Sequence, residues 1–215
     1  MKGHRAVFFD LDGTLLDTSA GVIHTIDHII TQFDLPMLSE EEKRSFIGPP
    51  VQQSFQEHYG CTQERAWELA AAWREAYKEK FLFEAVPYDG IYDLLDVLRS
   101  KGIKTCVATN KREDYSLRLL EHFYFLPLFD CVVGSDLEGK RRKSDMIKLC
   151  MDRTEVVDPA QGFMVGDTVG DMKAAQEVGT NFIGVTYGFG FKKTDVIDGV
   201  LLVDDVQGIG RIFDE

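Results

Sequence analysis

The feature that most restricts this chain is a change of rhythm near residue 87. From there on, short apolar runs alternate with amphipathic stretches. Residues 90–101, 113–122, 144–153, 169–178 and 206–213 carry helical periodicity, and residues 103–108, 131–133, 163–165, 181–185 and 200–203 read as strands. Strands separated by helices pair in parallel and are covered on both faces. Residues 6–9 (Ala-Val-Phe-Phe) belong with that set, as a strand buried on both faces. The stretch between, 18–86, holds no convincing strand. Val22, Ile26, Ile29, Ile30 and Phe33 recur at helical spacing, and Ser39 with Glu42 is a capping box. Gly48-Pro49-Pro50 opens a third helix, and 61–83 is a long helix with Trp67, Ala70, Trp73 and Tyr77 as core. The expectation is an α/β fold. A doubly wound, mostly parallel, Rossmann-like sheet is formed by residues 1–17 and 87–215, with an all-helical domain inserted at 18–86.

In an open parallel sheet, ligands bind beyond the carboxyl ends of the strands. Polar residues collect there: Asp10, Asp12, Gly13 and Thr14 after the first strand, Thr109, Asn110 and Lys111 after 103–108, and Gly166, Asp167 and Asp171 after 163–165. A strand extended through Asp10 and Asp12 points both side chains to one side. Such carboxylates repel unless a cation sits between them or one is protonated. With Asp167 on the same rim, the set suits a hard cation such as Mg2+, which takes one or two carboxylates plus phosphate oxygens. Asp10 then serves as a nucleophile on phosphorus, and Asp12 as acid and base. Thr109 donates to a phosphoryl oxygen, and a lysine from residues 140–143 supplies positive charge.

Each feature also has a plainer reading. Asp-x-Asp-Gly is a common turn. Thr109 suits an N-cap, Asp171 favours a helix N-terminus, and most of the 140–143 charges are solvated. His24 and His28, four apart, lack the glutamate and third ligand of a zinc protease helix and read as surface residues. Gly188-Phe189-Gly190 has no third glycine and is not a dinucleotide fingerprint; no P-loop occurs. It is the combination of strand ends that favours chemistry.

Together Asp10-Leu11-Asp12-Gly13-Thr14, Thr109-Asn110, Lys143 and Gly166-Asp167-Thr168-Val169-Gly170-Asp171 resemble, in order and spacing, the four motifs of the haloacid dehalogenase superfamily. The resemblance spans essentially the whole chain. The helical insert, Phe46-Ile47-Gly48-Pro49-Pro50 and residues 184–190 are similar to the phosphoglycolate-phosphatase-like branch, whose insert is a mobile cap that closes over substrate. The resemblance implies Asp10 as nucleophile and metal ligand, Asp12 as acid/base with its main-chain carbonyl on Mg2+, and Asp167 as metal ligand. It implies Thr109, with the Asn110 main chain, on the phosphoryl group. Lys143 would neutralise nucleophile and phosphate, and Asp171 would orient the metal's waters or Lys143. In many relatives proline follows this lysine, whereas here Ser144 does, and Lys140 is the competing candidate.

The expected activity is Mg2+-dependent hydrolysis of a small phosphate ester through an aspartyl phosphate, phosphoglycolate first, with a nucleoside monophosphate (5'-nucleotidase) or a sugar phosphate as alternatives. A phosphomutase shares the core. Asp12 argues against a dehalogenase, which needs no leaving-group acid, and against a phospho-aspartate switch, which needs a long-lived acyl phosphate. Acidic residues number 36 against 24 basic, a net charge of −12, which disfavours nucleic acid and anionic membranes as partners. No signal peptide or membrane span is evident, and the four cysteines form no C-x-x-C pair, so a cytoplasmic monomer or weak homodimer is expected.

Overall fold

The computed structural model describes residues 5–136 and 138–214. The chain divides into two compact units, Met1–Asp17 with Pro87–Glu215, and Thr18–Val86.

The first unit is built on a six-stranded sheet in which each neighbouring pair runs parallel. In chain order its strands are β1 (Ala6–Phe9), β4 (Lys104–Arg112), β5 (Cys131–Ser135), β6 (Gly162–Gly166), β7 (Asn181–Val185) and β8 (Leu201–Val203). Two short strands, β2 (Leu16–Asp17) and β3 (Val86–Pro87), pair separately. The sheet order is β5-β4-β1-β6-β7-β8, so the chain winds one way from β1 and then the other. That reversal opens a crevice at the carboxyl end of β1. All four β1 residues are fully buried, as a strand covered on both faces requires.

Five helices cover the sheet: α5 (Ile91–Ser100), α6 (Glu113–His122), α7 (Lys143–Thr154), α8 (Val169–Val178) and α9 (Val206–Ile212). Alternation along the pleat sends Ala6 and Phe8 to one face, where they meet Cys106, Ala108, Val133 and Met164 of the sheet, Met146, Ile147 and Cys150 of α7 and Ala174 and Ala175 of α8. Truncating a buried aromatic such as Phe8 costs about 3–5 kcal/mol. The parallel, doubly wound core expected from the sequence is what the structure has.

The second unit holds α1 (Ser19–Gln32), α2 (Glu40–Arg44), α3 (Val51–Tyr59) and α4 (Gln63–Ala76), which runs on into a π-helical turn over Tyr77–Phe81. Ser39 and Glu42 form the capping box of α2, and Pro50 is the N-cap of α3. Its buried residues include Ile26, Ile29, Phe55, Leu69 and Tyr77.

Two expectations need correction here. Trp67 is not core: it is 49% exposed, with the Arg74 guanidinium 5.4 Å from its ring centroid, because α4 buries the smaller residues Ala66, Leu69 and Ala70 instead. The strand expected to stop at residue 108 continues to Arg112, with an irregular register between Ala108 and Arg112. His24 pairs with Glu84, and His28 lies 3.2 Å from the Lys80 ammonium.

Candidate active site

β1 ends at Phe9, so Asp10 and Asp12 do not share an extended strand. The Asp10 N–H still donates to the Val165 carbonyl (2.9 Å), but the chain then coils, with Leu15 and Leu16 N–H both 3.0 Å from the Leu11 carbonyl. Gly13 has φ +80°, and a Cβ there would overlap the Asp167 carboxylate. Glycine is thus required twice over, for the turn and for the close approach of β6's end.

The coil directs Asp10 into a buried cluster. Asp10, Asp167 and Asp171 offer carboxylate oxygens that all lie within 4.8 Å of one another. The Lys143 ammonium sits among them, 2.7 Å from Asp10 Oδ1 and 2.8 Å from Asp171 Oδ1, and donates to the Ala108 carbonyl at 3.0 Å. Lys143 opens α7 and its side chain is 7% exposed. Lys140, the competing lysine, is 79% exposed and pairs with Glu138. Of the two, only Lys143 meets Asp10.

Asp171 is held by its own helix. Thr168 caps α8 through the Asp171 N–H, and Asp171 Oδ2 accepts from Thr168 N–H (3.1 Å) and Oγ1 (2.6 Å). That leaves Oδ1 for Lys143, so the helix-start reading and a site reading of Asp171 hold together. Asp167 Oδ2 accepts from the N–H groups of Phe189 (2.7 Å) and Gly190 (3.3 Å). The loop after β7 is tied down further by the Tyr187 hydroxyl, which donates to the Thr14 carbonyl at 3.0 Å.

Asp12 lies apart from this cluster and pairs with Lys111 at 3.0 Å. Thr109 is buried in the irregular part of β4, where its Oγ1 accepts from Lys111 N–H (3.2 Å), and the N-cap of α6 is Arg112 instead. Asn110 follows it, exposed. Lys111 and the Phe189 and Gly190 amides had no role in the sequence reading. The signal for Lys111 was its place directly after Thr109-Asn110; for the amides it was the Gly188-Phe189-Gly190 spacing.

Electrostatics follow from burial. The Asp10 carboxyl is pushed up to about 7, chiefly by desolvation, against the pull of Lys143 and with Asp171 and Asp167 adding to the rise. Asp167 is pushed up to about 6, again by burial first, with the Phe189 amide opposing and Asp171 adding. Burial works against the charge on Lys143, but Asp10 and Asp171 outweigh it and hold the ammonium above its ordinary range. Lys143 pairs with two of the three carboxylates, so the cluster is anionic when all are ionised. Such an all-oxygen, charge-rich set fits a hard divalent cation.

The chain matches the haloacid dehalogenase-like hydrolase family over residues 7–185. It is 34% identical to a 5'-nucleotidase of Pseudomonas aeruginosa over 185 residues, 86% of this chain and 83% of that protein. It is 27% identical to a phosphoglycolate phosphatase of Pseudomonas putida, over 95% of this chain and 78% of that one. Among solved structures, a predicted phosphatase from Clostridium acetobutylicum superposes with a TM-score of 0.87 at 34% identity, covering 99% of both chains. The chain therefore belongs to the haloacid dehalogenase-like hydrolases and is a phosphatase. No helix among the described residues is long and apolar enough to cross a membrane.

Proposed function

We propose that the protein is a Mg2+-dependent phosphomonoester hydrolase acting on a small phosphorylated metabolite. The observation that carries this is Lys143, bridging Asp10 and Asp171 at the carboxyl end of β1. An ammonium there keeps a carboxylate nucleophile beside a place for an anionic phosphoryl group. Asp10 attacks phosphorus, the ester oxygen leaves with a proton from Asp12, and an aspartyl phosphate forms on Asp10. Asp12 then takes a proton from water, whose oxygen attacks phosphorus, and inorganic phosphate departs as Asp10 is regenerated. Lys111, 3.0 Å from Asp12 Oδ1, positions that side chain. Lys143 and Thr109, with the main chain at Asn110, are assigned to the phosphoryl oxygens. Mg2+, held by Asp10, Asp167 and the Asp12 carbonyl and oriented through Asp171, would neutralise charge on the phosphoryl group.

Phosphoglycolate is the first substrate candidate. A nucleoside 5'-monophosphate is the second, favoured by the 34% identity to a 5'-nucleotidase. Phosphate release from a panel of phosphoglycolate, nucleoside monophosphates, sugar phosphates and pyridoxal phosphate, with and without Mg2+, tests both. Mg2+-dependent release concentrated on one ester is expected. No release from any ester by folded protein with Mg2+ would point instead to a mutase or a phospho-aspartate switch.

A further inference from the structure

The carboxylate cluster is not the only group of ligand-type side chains in the first unit. Cys106 on β4, Cys131 on β5 and Cys150 on α7 bring three sulfurs within 4.8 Å of one another. Cys106 and Cys131 are direct partners in the parallel register, and Cys150 descends onto them from the helix layer. Cys106 and Cys150 are fully buried, while Cys131 is half-buried on the edge strand.

Three sulfurs at this spacing admit three readings. Small hydrophobes in a core is the plainest, and it accounts for each cysteine singly. It does not account for three sulfurs converging from two strands and a helix. A disulfide is the second, and all three cysteines are free in the structure. A metal is the third. Zinc–sulfur bonds of about 2.3 Å in tetrahedral geometry set sulfurs about 3.8 Å apart, within reach of small side-chain rotations.

We propose that Cys106, Cys131 and Cys150 form a three-thiolate site for a thiophilic divalent d10 cation of the zinc class. Among the described residues the group includes no fourth His, Asp or Glu, so water completes the tetrahedron from the half-buried Cys131 side. Binding converts three thiols and M2+ into an M(SR)3 anion and releases three protons to the buffer. Arg153 supplies positive charge beside Cys131, opposed by Asp130. The Arg153 guanidinium donates to the Val132 carbonyl at 3.0 Å, next to Cys131. A cavity of about 350 Å3 lined by Lys104, Asp130, Arg153, Thr154 and Glu155 opens at that end of the sheet. Its lining includes Asp130, the residue before Cys131. The site is at the amino ends of β4 and β5, away from the carboxylates, and its ligands select soft cations where those select hard ones. Occupied, it would pin β4, β5 and α7, which carry Thr109 and Lys143.

The test is titration of reduced, Mg2+-saturated protein with Cd2+, read by the sulfur-to-cadmium charge-transfer absorbance in the ultraviolet. A Zn2+-dependent shift in Tm is measured in parallel. Wild type and Cys61→Ser, whose cysteine lies in the other unit, are expected to take up one equivalent and to gain Tm with Zn2+. Cys131→Ser, at the half-buried position, is expected to bind at least roughly tenfold more weakly and to lose the Tm gain. Cys150→Ala checks the second ligand where it folds. Absence of the band in folded wild type overturns the proposal, as does a band unchanged in Cys131→Ser. Recovery of a disulfide among these cysteines in place of bound metal also overturns it.

Discussion

At the scale of single residues, the site is a contest between burial and charge. Asp10 is nearly enclosed, and among the described residues Lys143 is the cation paired with it. Asp10→Asn keeps the shape and removes the nucleophile. Phosphate release is expected to fall by at least about 10^4-fold with no phospho-enzyme on acid quench, and substantial residual turnover would contradict the nucleophile role. The two lysines make a sharper comparison, since one is 7% and the other 79% exposed. Lys143→Ala is expected to lower kcat by about 10^2–10^3-fold, as loss of one preorganised donor does, and Lys140→Ala by less than about twofold. Equal losses would contradict a phosphoryl-binding role particular to Lys143.

At the scale of elements, the chemistry depends on how strands end and helices begin. The α8 capping box is such a joint, because Thr168 uses one oxygen of Asp171 and thereby aims the other at Lys143. Thr168→Ala is expected to cost about 1 kcal/mol in chemical denaturation and to weaken Mg2+ binding about 10–100-fold, whereas Thr168→Ser keeps both. If Ala and Ser behave alike in Mg2+ affinity, the cap serves helix stability alone. This joint was legible in the sequence: Thr168 with Asp171 is a local pattern, and the α8 and β7 boundaries follow from apolar periodicity. So were Asp10, Asp167 and Lys143, each at a strand end or helix start. What was not legible rests on backbone groups that no residue type marks. β4 continues through Thr109-Asn110-Lys111, which carry no alternation, and that irregular stretch brings Lys111 to Asp12. The Phe189 and Gly190 amides reach Asp167 only because the loop after β7 folds back. Trp67 was misplaced for a related reason. Hydrophobicity ranks it as core, but α4 packs on its small face.

At the scale of the whole molecule, the site sets a cost on stability that a bound cation relieves. Asp10 moves from the ordinary 3.8 to about 7 on folding of the metal-free protein. Between those values the folded chain holds a proton that the unfolded chain has released, so stability falls as pH rises. The contribution is full below pH 3.8 and lost as pH passes through about 7. Asp167, raised to about 6, acts in the same direction over a narrower window. Asp10→Asn removes the larger part. Its denaturation free energy relative to wild type, measured without divalent ions, is therefore expected to rise between pH 4 and pH 8 by roughly 2–4 kcal/mol. Mg2+ should reverse the trend in wild type, stabilising more at pH 8 than at pH 5, because it binds the ionised cluster and competes with the proton. Parallel pH curves for the two proteins would mean that Lys143 alone neutralises Asp10. The site would then be balanced without a cation, and Mg2+ would add no more stability at pH 8 than at pH 5.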